Sequence, residues 1–393
     1  MPPLKYVLTA ATCATLLVGA TGCSLTESND AGASGEAAGT GAITVDSTSD
    51  ACDLTSTEAP SGNLVFNVKN AGDQVTEFYF YAEDGLRIVG EIENVGPGLS
   101  RDLVVRAAPG KYVASCRPGM TGKGIRSDFT VTDSGEDTGI TGVDQADIDA
   151  ATRQYAAYVK DQSSQLVDET TAFVTAYAAG QDEKARALYP QARTYWERLE
   201  TVAESFGDLD PKTDLREADL TPGQEWTGWH RIEKDLWPPA KGYTQLGAAD
   251  RKKYGEDLLA NTKTLDERVQ DLDYTVDQIG NGSKSLLDEV ASGKITGEEN
   301  IWSRTDLYDF QANVDGARVA YEGLQPLLDG KDPGLSQKIK AAFEDLQTSL
   351  DKYRDGDGFV SYDTVSDAQR KELSDKVNAL AEPLSKLTGA ITL

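Results

Sequence analysis

The sequence predicts a multidomain β plus α chain, a small antiparallel β-sandwich followed by an all-α helical bundle. Two observations carry that expectation. Between about Ile43 and Thr132, short runs of alternating apolar and polar residues are separated by Gly, Pro and Asn turn signals, as in half-buried sandwich strands. Beyond Gly142 the apolar period changes from two to about 3.6, the repeat of an amphipathic helix. At 393 residues the chain is long enough for each part to bury its own core. The charge narrows the partners: 38 Lys and Arg against 65 Asp and Glu leave a formal net charge of −27. Nucleic acid is therefore not expected, and cations are attracted.

In chain order, Lys5 precedes an apolar stretch from about Val7 to Ala20, which contains Cys13, and Ala20-Thr21-Gly22 then leads to Cys23. The stretch is too short and too rich in Ala and Thr to span a bilayer. It reads as a bacterial lipoprotein signal over 1–22, cleaved so that the Cys23 thiol takes the lipid; a plain secretory signal is the rival. The Ser/Gly/Ala-rich segment that follows cannot bury enough apolar surface to fold and is expected to be a flexible tether over 23–42. Together these place the folded parts outside the cytoplasmic membrane, anchored to its outer face.

Over 43–132, Leu64, Phe66 and Val68 share one face of a strand, and Phe78 to Tyr81, Arg87 to Ile92, Leu103 to Val105, Tyr112 to Ala114 and Phe129 to Val131 continue the series. Breakers such as Asn70-Ala71-Gly72, Asp84-Gly85, Gly96-Pro97-Gly98 and Pro109-Gly110 separate them, giving about seven short strands. Cys52 and Cys116 fall in this part. In an oxidising compartment a disulfide is the first expectation for them, and a thiolate metal site the sharper alternative. A polar linker over 133–143 leads to a helical domain over 144–393. Tyr155, Val159, Leu166, Phe173 and Tyr177 form the apolar stripe of a helix over 145–178. Further helices are expected at 181–206, 224–236, 251–279, 283–292, 303–328, 333–354 and 366–387, with stops at Gly180, Gly207, Pro238-Pro239, Gly280-Asn281-Gly282, Gly330 and Asp355-Gly356-Asp357-Gly358. The last of these does not fit a calcium loop: with Gly358 at the sixth position, Tyr353 and Thr364 stand where carboxylates are required.

His230 is the only histidine. That excludes a zinc site of the two-histidine helical type and a blue-copper centre. Any metal held by His230 needs carboxylates for most of its other ligands. Glu233 lies three residues on, on the same helical face, and Glu197 and Glu200 repeat that spacing on another helix. Two helices presenting such pairs into a bundle core is how carboxylate-rich metal sites are built. Imidazole with carboxylates suits iron, zinc or manganese. The bland alternatives are a solvated Glu-x-x-Glu face and a structural histidine.

At these residues the chain resembles a known family. The blocks Arg186-Ala187-Leu188-Tyr189, Tyr195 to Glu200, Ser205 to Asp210, Gly228 to Lys234, Lys294 to Glu299 and Thr305 to Val314 stand in the order found in EfeO-type extracytoplasmic iron-uptake components, with their imelysin-like, peptidase-related helical domain. Residues 43–132 resemble the cupredoxin-like domain of the family's longer form at Asp50-Ala51-Cys52, Thr76-Glu77, Glu91 to Gly98, Pro109 to Tyr112 and Ser115-Cys116. The resemblance implies capture of iron, Fe2+ or Fe3+, with copper or zinc as alternatives. It implies delivery to a ferrous-iron permease, with a haem peroxidase as the other partner. It carries the family's metal site onto His230, Glu233, Glu197 and Glu200, with Asp214 and Glu298 as further candidates. In the sandwich it points to Cys52, Glu77, Glu91 and Cys116, with Met120 nearby, as a site able to assist iron oxidation; a Cys52–Cys116 disulfide is the competing reading.

Two other functions compete. One is a metal-dependent peptidase of the imelysin type, disfavoured because one histidine cannot serve the usual three-ligand hydrolase site or a nucleophile triad. The other is an envelope protein that binds anionic polysaccharide through a bridging cation.

Overall fold

The computed structural model describes residues 41–85, 88–120, 122–135, 140 and 142–393. The expected signal over 1–22, Cys13, the lipidation site Cys23 and the tether up to residue 40 lie outside the described residues. Among the described residues nine strands precede the helices: β1 (Ile43–Ser47), β2 (Cys52–Leu54), β3 (Glu58–Pro60), β4 (Gly62–Asn70), β5 (Thr76–Ala82), β6 (Ile88–Val95), β7 (Ser100–Ala107), β8 (Gly110–Cys116) and β9 (Ile125–Thr132). They form a four-stranded sheet, β2-β1-β4-β7, and a five-stranded sheet, β3-β9-β8-β5-β6. The sandwich is not purely antiparallel, because β1 runs parallel to β4 and β3 parallel to β9. Short strands joined through neighbours in the other sheet satisfy their backbone groups in either direction, so alternation alone could not set the pairing.

The alternation does set the core. Leu64, Phe66 and Val68 point inward and are buried, and the Phe66 ring packs on Phe78, Phe80 and Phe129 at 5.0–5.6 Å between centroids. Cys52 on one sheet is joined to Cys116 on the other by a disulfide. Cys116 lies opposite Phe78 on the core side of the five-stranded sheet. One residue away, Tyr79 pairs with Glu91, and both fall on the outer face.

Eleven helices follow among the described residues: α1 (Gln145–Ala178), α2 (Asp182–Arg198), α3 (Glu200–Glu204), α4 (Asp210–Thr213), α5 (Trp229–Leu236), α6 (Ala248–Val269), α7 (Val276–Ser292), α8 (Asp306–Lys331), α9 (Pro333–Leu350), α10 (Asp367–Leu384) and α11 (Leu387–Thr392). The stripe Tyr155, Val159, Leu166, Phe173 and Tyr177 is buried along α1. Asp144 starts that helix by accepting from the Ala146 amide.

Three helix expectations need correction. The helix expected over 181–206 breaks at Leu199, whose amide turns back to Trp196 O in a tightened turn. The helix expected over 224–236 begins only at Trp229, because Gly228 stands at φ 87°. Most instructive, Gly280-Asn281-Gly282 does not stop a helix. The break falls after Val269, and α7 restarts at a capping box in which Thr275 and Gln278 bond each other's main chain. A side chain at 280 would lie 2.5 Å from Thr388 Oγ1, so glycine serves close approach to α11 rather than termination. The Asp355–Gly358 turn links α9 to α10 as expected, carried by a minimal hairpin of β10 (Arg354–Asp355) and β11 (Gly358–Phe359).

The helices lie against β4 and β7 of the four-stranded sheet and against β6 of the five-stranded sheet. Asp277 accepts from the Arg106 amide at 2.8 Å, Asn281 donates to Val104 O at 2.9 Å, and Asn63 donates to Thr392 O at 2.6 Å. Glu91 and Glu93 of β6 face α7 there, and Glu93 shares a hydrogen bond with Glu289.

Candidate metal centre

The centre is assembled from five places in the chain: the α2–α3 break, the end of α4, α5, the segment 294–299 and α8. Helix α5 is short and almost wholly buried, with Trp229, Ile232 and Leu236 fixing it in the core and His230 and Glu233 turned to the same interior face. Its start is dictated by Gly228, where a Cβ would lie 2.1 Å from Thr213 O. That contact seats α5 against the end of α4 and brings Asp214 to His230. The Leu199 break lets Glu197 and Glu200 both turn inward, and the Glu197 carbonyl it exposes accepts from Asn313 Nδ2 of α8 at 2.9 Å. Gly316 allows that approach, since a Cβ there would lie 2.9 Å from Arg198 O.

His230 is fully buried, with Nδ1 3.1 Å from Glu233 Oε2 and Nε2 3.1 Å from Glu299 Oε1 and 3.3 Å from Asp214 Oδ1. Glu233 lies outside the groupings around Nε2. Its other oxygen accepts from the Trp302 and Ser303 amides and from Ser303 Oγ at 2.8–3.1 Å. The i, i+3 spacing therefore brings the pair together, but with Glu233 orienting the ring from Nδ1 while Nε2 faces the carboxylates. Three sets of donor atoms lie within 4.8 Å of one another: Asp214, His230 and Glu299; Glu197, Glu200 and Asp214; and Glu197, Glu299 and Asp309. At ligand distances of about 2.1 Å, two ligands on opposite sides of one ion stand about 4.2 Å apart, so this spacing suits coordination.

Cations of the protein hold the carboxylates together. The buried Arg193 guanidinium bonds Glu197 and Asp214 closely, and reaches Asp309 at 3.0 Å and Glu299 at 3.1 Å. Lys294 Nζ bonds Glu197 and Glu200. Burial and the Arg193 charge oppose protonation of His230, but Asp214 and Glu233 outweigh them and hold the imidazole well above its usual range. Burial likewise opposes ionisation of Glu299, yet its bond to His230 brings it down to about 2. Burial and the Glu197 charge push Glu200 well above the ordinary carboxylate range. Six carboxyl groups (Glu197, Glu200, Asp214, Glu233, Glu299 and Asp309) thus face three buried cationic groups (Arg193, His230 and Lys294), with the half-buried Arg216 4.0 Å from Glu299. One buried carboxylate oxygen, Asp309 Oδ1, has no hydrogen-bond partner.

Of the residues anticipated from sequence, His230, Glu197, Glu200 and Asp214 meet at the centre, with Glu233 behind the ring. Glu298 does not: it is exposed, and its neighbour Glu299 is buried in its place. Gly297, at φ 79°, reverses the chain so that consecutive side chains part. The second anticipated cluster is not formed. Cys52 and Cys116 are bonded to each other, and a disulfide sulfur is not a thiolate ligand. Glu77 is held by Tyr79 OH at 3.0 Å and Arg117 at 3.3 Å, and with Glu91 it lies on the sheet face opposite Cys116.

Arg193, Glu299, Asp309 and Lys294 were missed. Arg193 stands one turn before Glu197 on one helix face, and Asp306, Asp309 and Asn313 repeat at helical spacing on α8. Those were the signals available.

Comparison with known proteins agrees with this architecture. The imelysin family model matches residues 151–387. An Efem/EfeO family lipoprotein of Staphylococcus haemolyticus is 46% identical over 249 residues, covering 63% of this chain and 85% of that protein. The iron uptake system component EfeO of Escherichia coli (strain K12) is 35% identical over 350 residues, covering 87% of this chain and 89% of that protein. The Shigella flexneri protein of the same name has the same identity and coverage. With its imelysin helical region, its preceding sandwich and relatives aligned over most of its length, the chain belongs to the EfeO family.

Proposed function

We propose that this protein is an extracytoplasmic, lipid-anchored component of an iron uptake system that captures iron at the His230 centre and passes it to a membrane permease, with a haem peroxidase as the other partner. The names of its relatives support iron uptake and a lipoprotein. No described helix is long and apolar enough to cross a membrane.

The observation that carries the reading is the overlap of three donor groups in one buried cluster where carboxyl groups outnumber cations, with Asp309 Oδ1 left without a hydrogen-bond partner. Burial pushes the excess carboxyl groups Glu200 and Asp309 well above the ordinary carboxylate range, and a bound cation would balance their ionised form. Carboxylate oxygens with one imidazole suit iron better than a soft metal. To take the ion, His230 gives up its Nε2 proton while Glu233 keeps hold of Nδ1, so the ring need not turn. Asp214 and Glu299 already flank Nε2, and each also belongs to a neighbouring donor group, Asp214 with Glu197 and Glu200 and Glu299 with Glu197 and Asp309.

Calorimetric titration with Fe2+ and Fe3+ tests this. Binding by the parent, and a loss of tenfold or more in both His230→Ala and Asp214→Asn, is the expected result; unchanged binding in both variants rejects the centre. Peptide cleavage is disfavoured by burial, since His230 is 0% and Asp214 8% exposed. Iron oxidation by a cysteine site in the sandwich is disfavoured by the disulfide.

A further inference from the structure

Part of the proposed iron centre is already held by a cation of the protein. Lys294 Nζ lies 2.7 Å from Glu197 Oε2 and 2.5 Å from Glu200 Oε2, and its side chain is 1% exposed. These two glutamates, with Asp214, are one of the three groups able to hold an ion. Asn313 Nδ2 donates to the same two oxygens at 3.2 and 2.9 Å, so they are fixed from the other side by a neutral group. An ion bound by both oxygens at about 2.1 Å stands where the ammonium now stands. Two cations cannot share that place.

The backbone of the segment carrying Lys294 is held, with Ile295 O accepting from the Tyr362 hydroxyl and Gly297 O from Arg304, so displacement falls to the lysine side chain. Residues Lys294–Thr296 form a single 3-10 turn between Gly293 and Gly297, the latter at φ 79°. The lysine stem has four rotatable carbons and a compact charge, which reorients at lower cost than the planar guanidinium of Arg193. Glu289, five residues earlier, also acts electrostatically on Lys294 and offers another anion once the first is taken. Lys294 also acts electrostatically on Glu299, a second donor of the centre.

We propose that Lys294 is a tethered competitor for the iron site: its ammonium occupies the Glu197 and Glu200 oxygens in the ion-free protein and leaves them when an ion binds. The inference rests on the iron-capture reading above. Its consequence is selectivity by charge. A monovalent ion gains no more from the two carboxylates than the ammonium it displaces, whereas a divalent or trivalent ion gains two to three times the Coulomb attraction at equal distance. A second consequence is release, because the returning ammonium competes with the ion and speeds its departure to a downstream acceptor.

The test is titration of the full-length protein with Fe3+ supplied as its citrate complex, for the parent, His230→Ala, Lys294→Met and Lys294→Arg. Tenfold or tighter binding by Lys294→Met than by the parent, with slower loss of iron to a competing chelator, is expected, and Lys294→Arg should not show the gain. Equal or weaker binding by Lys294→Met overturns the proposal and makes Lys294 a support for the two glutamates. Absence of binding in the parent, or parent-like binding in His230→Ala, defeats the iron-capture reading instead. Should Lys294→Met not fold, the parent decides. In lysine-15N-labelled protein, the protected Nζ resonance missing from Lys294→Arg should shift or lose protection on saturation with diamagnetic Ga3+. An unchanged resonance at saturation overturns displacement.

Discussion

Arg193 shows how much of the centre depends on one side chain that is not itself a ligand. It touches four carboxylates with no solvent to share the load. Removing one member of such a buried network leaves uncompensated charge, so Arg193→Met is expected to cost about 3–5 kcal/mol in chemical denaturation. Neighbouring positions in the Gly297 reversal make a sharper contrast. Glu299→Gln should lower iron affinity tenfold or more by calorimetry, while the exposed Glu298→Gln should leave it within twofold. Equal effects at both positions would return the site to the assignment drawn from sequence. His230 was legible as a candidate because it is unique and stands three residues before a carboxylate. Glu299 over Glu298 was not, because adjacent glutamates are equivalent until the backbone turn selects one.

At the scale of elements, the centre depends on how closely short helices approach one another. Gly228 combines φ 87° with a would-be Cβ contact of 2.1 Å to a carbonyl, so Gly228→Ala must move either α5 or the Thr213 segment. A loss of about 2 kcal/mol or more in thermal or denaturant unfolding is expected, together with weakened iron binding, because His230 and Glu233 move with the helix. Parent-like stability and binding would show that α5 is not seated by this contact. The long helix α1 and the inward face of β4 were legible because periodicity reports burial directly. The break at Leu199 and the continuous α7 were not. Each is decided by a neighbour: Asn313 takes the carbonyl freed at the break, and Thr388 requires glycine at 280.

At the scale of the whole molecule, the sandwich is stapled internally and meets the helices across buried acids. The disulfide closes a separation of 64 residues, worth about 4 kcal/mol on the loop-entropy account. Cys116→Ser with Cys52→Ser should lower stability by roughly that amount and leave iron affinity unchanged; loss of iron binding would restore a metal role for the cysteines. Where sheet meets helices, burial, reinforced by the Glu77 and Glu289 charges, pushes Glu91 up to about 8, and burial with the Asp214 charge pushes Asp210 up to about 7. Both carboxyls hold protons in the folded state at pH values where the unfolded chain has released them. Their contribution is therefore fully present below about pH 4.5 and lost as pH rises toward 8. The unfolding temperature should fall between pH 6 and 8.5, and Glu91→Gln should flatten that fall by a stability of order 1 kcal/mol, a few degrees. An identical slope in the variant would remove Glu91 from the account.

The sequence by itself determined the order of β then α, the inward faces of the main strands and helices, and a candidate site of one histidine with carboxylates. These follow from local periodicity and from the small menu of groups that bind a hard cation. The tertiary structure alone decided which carboxylates meet. It brought Asp214, Glu299 and Asp309 to His230 and Glu197 from distant segments, and it left Glu298 in solvent. It also placed Cys116 and Glu91 on opposite faces of one sheet. Juxtaposition across the fold depends on backbone reversals and close helix approaches, and neither has a period that a linear sequence displays.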